Sequence, residues 1–233
     1  MARSEGLPRV IVKSALFRVA GFTRAKSFSG KLLSFSLRIA SKFWHAGVCI
    51  DRCFTRRVRL PRPVVSVGNI TVGGTGKTPF VITLGEELRN KGLKVAVLTR
   101  GYKAQSTERD EPYLIKSALP DAQVLVSANR VKAAFESLKG PFAPDIFLLD
   151  DGFQHWRLHR DVDIVLLDCL LPFGLGEVVP LGFLREPISA LARANFVVLT
   201  RSDLVADWKL EGLLEYLQVR FPGLQVVLSL IHI

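Results

Sequence analysis

The period of the apolar positions changes once along the chain, near Pro61 and Pro63. Before it, residues 31–49 (KLLSFSLRIASKFWHAGVC) repeat like a helix. Lys31, Arg38, Lys42 and His45 lie at i, i+7, i+11 and i+14, which is one helical face. Leu33, Leu37, Ala40 and Trp44 form a second face, flanked by Phe35, Ile39 and Phe43. After Pro63, short apolar runs take over. Residues 64–67, 94–99, 123–127, 145–149, 163–167 and 196–200 read as strands, rich in Val, Leu and Ile with little alternation. Helix-compatible stretches at 80–88, 129–138 and 204–219 separate some of them, and Asn90-Lys91-Gly92 reads as a helix stop. Residues 106–112 (STERDEP) read as a polar loop. Strands buried on both faces with helices between them predict an α/β fold. Its sheet is doubly wound and mostly parallel, with an amphipathic helical appendage over 1–62 and a core over 63–233.

Charge sharpens that boundary. Residues 1–62 carry 14 Lys/Arg against only Glu5 and Asp51, a net of +12, whereas the remaining 18 basic and 19 acidic residues give −1. The excess on the appendage points to a polyanionic surface. Nucleic acid would be served by the cations alone, for example Arg52, Arg56, Arg57, Arg59 and Arg62. The Phe-Leu-Ile face has no use there, so an anionic membrane is the expected partner and nucleic acid is not. The stretch is too short and charged to span a bilayer and reads as a helix lying in the interface. The basic, acid-poor first 30 residues also have the composition of an organellar transit peptide, but not of a secretory signal. Cys49, Cys53 and Cys169 show no zinc spacing and read as free thiols in a reducing compartment.

The densest chemistry lies in 66–80, SVGNITVGGTGKTPF. Strand, glycine-rich turn, Lys-Thr and helix is the layout of a phosphate-binding loop. Gly73, Gly74 and Gly76 would let backbone amides close on phosphate oxygens, with Thr75 between them. The helix start favours the same anion. Lys77 would reach the β- and γ-phosphates, and the Thr78 hydroxyl would hold Mg²⁺. Thr71 stands where the pattern has its first glycine. In parallel sheets ligands sit beyond the carboxyl ends of the strands. That edge should collect Thr99, Asp168, and Asp150 with Asp151, the last two suited to a metal held against phosphate. His155 is close in sequence and reads equally as structural or catalytic. Asp110 or Glu111 could take a proton from an attacking hydroxyl. Arg185 and Glu186 read either as an exposed pair at a helix entry or as an arginine on the γ-phosphate.

VGNITVGGTGKTP, LTRGY, RDEP, LLDDGFQH and GFLREP, in this order, resemble the tetraacyldisaccharide 4′-kinase family of lipid A synthesis over about residues 60–203. The resemblance implies a membrane-associated kinase with a P-loop NTPase-like fold. It would move the ATP γ-phosphoryl group to the 4′-hydroxyl of an acylated glucosamine disaccharide 1-phosphate, at the cytoplasmic face of the inner membrane. It also implies Asp110 as catalytic aspartate, with Arg109 where the family has glycine. Glu111, His155, Arg185 and Glu186 match other active-site positions, Asp150 and Asp151 serve the metal, and ATP and Mg²⁺ are the cofactors. The other enzyme-class reading is a P-loop ATPase or GTPase switch with a basic arm. The family's partner histidine, from a C-terminal lobe, has no counterpart, and His232 lacks its context. Residues 228–233 (LSLIHI) back-translate into sequencing-adapter DNA, so the expectation is a truncated frame with weak or no turnover.

Overall fold

A computed structural model describes residues 28–100 and 111–229, with the side chains of 28–34, His45 and Cys49 outside the description. Seven parallel strands form one sheet in the order β3-β2-β4-β1-β5-β6-β7. They are β1 (Val64–Gly68), β2 (Val95–Thr99), β3 (Gln123–Val126), β4 (Ile146–Asp150), β5 (Val162–Asp168), β6 (Phe196–Thr200) and β7 (Gln225–Leu228). The helices are α1 (Phe28–Phe54), α2 (Lys77–Asn90), α3 (Glu111–Ala118), α4 (Arg130–Lys139) and α5 (Asp207–Arg220). This is the doubly wound α/β arrangement expected from the alternation of elements. β1 lies inside the sheet between β4 and β5, with Val67 opposite Asp150 and Val65 opposite Val162.

The apolar runs are uninterrupted because both sheet faces are covered. Val67, Val95, Val97, Ile146 and Leu148 point to one face, where they meet Val81 of α2 and Ile115 of α3. Val64, Ala96, Leu98, Phe147 and Leu149 point to the other, with Ala134 of α4. Asn129 caps α4 by accepting from the Lys132 amide at 3.1 Å.

Four elements differ from expectation. Glu111 and Pro112 open α3 instead of closing a loop. Proline's missing N–H costs nothing in a first turn. α1 continues past Cys49 through Arg52 to Phe54. The last long helix starts only at Asp207, after a 3-10 turn at Ser202–Leu204. β7 adds an unexpected edge strand in which Leu228 pairs with Leu199, and Leu230 to Ile233 lie outside the described residues.

The contacts divide the chain into two units. The larger holds 55–69, 75–170 and 191–233, and therefore all seven strands. The smaller holds 1–54, 70–74 and 171–190. Within it α1 has two faces. Phe35, Ile39, Phe43, Ile50 and Phe54, at i, i+4, i+8, i+15 and i+19, form an exposed stripe in which Phe43 is 76% accessible. On the opposite side Leu37 and Val48 are half-buried, and buried Ser41 donates to the Val178 carbonyl at 3.0 Å. Leu37 thus leaves the apolar face assigned from sequence, and the exposed stripe belongs to its flanking aromatic and Ile positions. No helix among the described residues is long and apolar enough to cross a membrane.

Candidate active site

In the larger unit, the carboxyl ends of β1, β2 and β4 come together because the strands are parallel and adjacent. Gly76 takes a left-handed conformation (φ 82°) and caps α2, which starts at Lys77 and Thr78. Lys77 Nζ lies 3.5 Å from Asp151 Oδ1. Asp151 is itself left-handed (φ 50°), unusual for a residue with a Cβ. The turn that carries it is locked under β1. The Gly152 amide donates to Val67 O at 3.1 Å. The Gln154 side-chain amide donates to Asn69 O at 3.0 Å. A Cβ on Gly152 would lie 2.6 Å from Ser66 Oγ, and one on Gly68 only 2.5 Å from Phe153 Cβ. These close approaches give the glycines of 66–69 and 150–155 a physical reason.

Asp150 is 4% accessible. Its Oδ2 accepts from Thr99 Oγ1 at 3.2 Å, whereas its Oδ1 has no hydrogen-bond partner. Burial, then the nearby Glu111 carboxylate, push its pKa up to about 6 against the pull of Lys77; Asp151 raises it further and the Thr99 bond lowers it. A buried, orphaned carboxylate oxygen beside a lysine and a second carboxylate suits a small hard cation. Thr75 is also buried with an unpartnered hydroxyl, and its carbonyl accepts from Thr200 Oγ1 at 3.2 Å. Thr78, second in α2, is half-buried.

His155 belongs to the same unit. Burial and the surrounding Arg130, Arg160, Arg157 and Arg100 lower its pKa to about 4, so it is neutral at neutral pH, with Nε2 buried and unpartnered. Arg130 was not legible from sequence. It opens α4, is buried, and donates to the Asp150 carbonyl at 2.9 Å. Only the tertiary fold reveals that contact. Asp168 is held by Arg201 at 3.0 Å.

Gly73, Gly74, Arg185 and Glu186 fall in the smaller unit. Gly73 has φ 123°. Thr71 tolerates its Cβ because it sits in an antiparallel bridge to Leu184, where the backbone is extended. Glu186 is buried, so the expectation of an exposed pair does not hold. The Arg185 amide donates to Ile70 O at 2.7 Å, and its carbonyl accepts from Trp44 Nε1 at 3.3 Å. Asp110 lies outside the described residues.

A family model described as tetraacyldisaccharide-1-P 4′-kinase (LpxK) matches residues 32–212. The chain belongs to this kinase family. A tetraacyldisaccharide 4′-kinase from Pelobacter propionicus is 46% identical over 166 residues, covering 64% of this chain and 46% of that protein. One from Halothermothrix orenii is 39% identical over 211 residues, covering 80% and 54%. The chain thus spans about half the length of the curated relatives it matches. The solved structure of LpxK from Aquifex aeolicus, in complex with ATP, matches with a TM-score of 0.64 at 36% identity over 74% of this chain and 60% of that one. The LpxK family match therefore includes most of α1 as well as the strand-end residues described above.

Proposed function

We propose that this chain carries the nucleotide site of a lipid A 4′-kinase, which moves the γ-phosphoryl group of ATP to the 4′-hydroxyl of tetraacyldisaccharide 1-phosphate. The observation that carries this reading is Lys77 poised 3.5 Å from Asp151, with the unpartnered oxygen of buried Asp150 behind it. Membership of the kinase family supports it, as does the ATP in the related LpxK structure.

Each residue then has a task. The amides from Thr75 to Thr78 hold the phosphates, and Lys77 leaves Asp151 to meet the β- and γ-oxygens. Asp150, Asp151 and Thr78 would hold Mg²⁺, which supplies charge neutralisation on the phosphates; phosphate oxygens and water would complete its shell. Glu111 raises the negative field at that spot and favours cation entry. Asp110 accepts the proton of the attacking 4′-hydroxyl, as its motif match implies. Neutral His155 can accept a hydrogen bond at Nε2 without adding charge. Arg185 would meet phosphate on the lipid headgroup, and its neighbour Glu186 is buried.

The exposed aromatic and aliphatic stripe of α1, beside Arg38 and Lys42, supports a peripheral seat on an anionic membrane. The cytoplasmic face of the inner membrane fits, because ATP is available there and Cys53 and Cys169 are free thiols. The test is Mg²⁺–ATP binding and labelled phosphoryl transfer to the acylated disaccharide, with Lys77→Ala alongside. Binding lost in the variant is expected. Nucleotide hydrolysis indifferent to the lipid would replace the kinase reading by a switch protein.

A further inference from the structure

The backbone of Arg185 is held from two directions inside the smaller unit. Its N–H donates to the Ile70 carbonyl at 2.7 Å, and two residues earlier the Phe183 carbonyl accepts from the Val72 amide at 2.7 Å. Those two bonds tie 183–185 to 70–72, the segment that runs on in sequence into the glycine loop. The Arg185 carbonyl points the other way and accepts from the indole N–H of Trp44 on α1 at 3.3 Å. A second tie lies one turn earlier on the helix, where Ser41 Oγ donates to Val178 O at 3.0 Å. Ser41 and Trp44 are spaced i, i+3, so both bonds come from one side of α1. The exposed stripe, Phe35, Ile39, Phe43, Ile50 and Phe54, occupies the other side. One helix therefore presents apolar side chains outward and clasps the Arg185 segment with its opposite face. Trp44 is 51% accessible, at the margin between the two.

We propose that Trp44, assisted by Ser41, is a positioning residue for Arg185, coupling the seating of α1 on a lipid surface to the placement of the arginine that meets the substrate headgroup. This rests on the reading of Arg185 as a headgroup ligand and of α1 as a lipid-facing helix. The physical device is simple. A helix pinned by its outer stripe loses freedom to roll, so its inner donors stay aimed at the 178 and 185 carbonyls. Arg185, whose backbone is then fixed on both sides, presents its guanidinium with less entropy left to lose on binding. In solution the same bonds exist but the helix is free to rock, and Arg185 is less well aimed.

The test uses Trp44→Phe, which keeps an aromatic ring and removes the N–H, with Ser41→Ala as a second variant. Hydrogen–deuterium exchange of peptides covering 171–190 is followed in solution and on vesicles of phosphatidylethanolamine and phosphatidylglycerol. In solution each variant is expected to speed exchange within the 171–190 peptides about fivefold, the size of the one hydrogen bond it removes from the 185 or 178 carbonyl, with β4 and β5 unchanged. On vesicles the wild type slows further there, whereas Trp44→Phe binds the vesicles equally and does not slow. With lipid substrate, Trp44→Phe raises KM for the disaccharide about fivefold and leaves KM for ATP alone. Unchanged exchange in both variants overturns the proposal, and so does vesicle-induced slowing that survives Trp44→Phe. A wild type that fails to float with the vesicles refutes the lipid reading of α1, while the solution exchange still decides the role of Trp44.

Discussion

Replacing Asp150 by Asn should make the ligand-free protein more stable and the nucleotide-bound protein less so. Burial, and then Glu111, raise the Asp150 pKa from 3.8 to about 6. The unfolded chain gives up this proton first as pH rises. The native state is therefore penalised progressively between about pH 4 and 6, and by a constant amount above that. A shift of about two pKa units corresponds to about 3 kcal/mol. Asn removes the charge and keeps an oxygen to accept from Thr99. Part of the gain is offset by the buried amide, so urea unfolding near neutral pH should show a stabilisation of about 1–3 kcal/mol, fading to nothing below about pH 4. Mg²⁺–ATP should act in the opposite sense. At a hundredfold excess over Kd it stabilises a binding-competent protein by about 2.7 kcal/mol, and the variant should show almost none of this. A variant that is destabilised equally at every pH would refute the reasoning, because Asp150 would then be a structural acceptor rather than an oxygen kept open for a cation.

Further outcomes follow from the same geometry. Lys77→Ala should abolish stabilisation by Mg²⁺–ATP in thermal melts yet shift ligand-free stability by less than about 1 kcal/mol, because its ion pair with Asp151 is partly solvated. His155, with its folded pKa depressed from 6.5 to about 4, costs stability as pH falls through that window. His155→Gln should flatten the pH dependence of the urea midpoint between about pH 7 and 4.5, leaving the opposite trend of Asp150 visible. Gly68→Ala drives a methyl to within 2.5 Å of Phe153 Cβ and 2.8 Å of its amide nitrogen, so unfolding titrations should report a loss of about 3 kcal/mol. Phe43→Glu, at the most exposed ring of the α1 stripe after Phe54, should abolish flotation with anionic vesicles and leave nucleotide binding unaltered.

The core strands were legible because each is covered on both faces, which leaves an apolar run that no solvent-facing position interrupts. β7 was not, since an edge strand of four residues with exposed Gln225, Val227 and Leu228 carries no such run. α3 was hidden by Pro112, which marks a loop in isolation and a first helical turn in place. The same limit applies at the site. Lys77, Thr78, Asp150 and Asp151 announce themselves through local spacing, and the fold brings Lys77 and Asp151 together as that spacing implied. Arg130 carries no local signature, because its partners are backbone carbonyls 20 and 21 residues away. Trp44 read as one residue of an apolar helix face, and only the fold gives its indole a second use on a carbonyl 141 residues distant.

What distinguishes the Asp150–Asp151 turn from an ordinary strand end is that it is costly in three ways at once. One carboxylate oxygen is buried without a partner, one aspartate is held at φ 50°, and Glu111 adds like charge nearby. Each would be relieved by a small movement of the turn toward solvent. That movement is blocked from two sides. Gly68 and Gly152 let the turn pack so tightly under β1 that no Cβ fits, and Arg130 grips the Asp150 carbonyl from α4. A fold that spends contacts to keep a carboxylate uncomfortable is holding it for something that arrives later, since strain of this kind persists only where its surroundings overdetermine it. A divalent cation with phosphate oxygens would relieve the charge terms together, which is why ligand-free stability and nucleotide binding should move in opposite directions when Asp150 is neutralised.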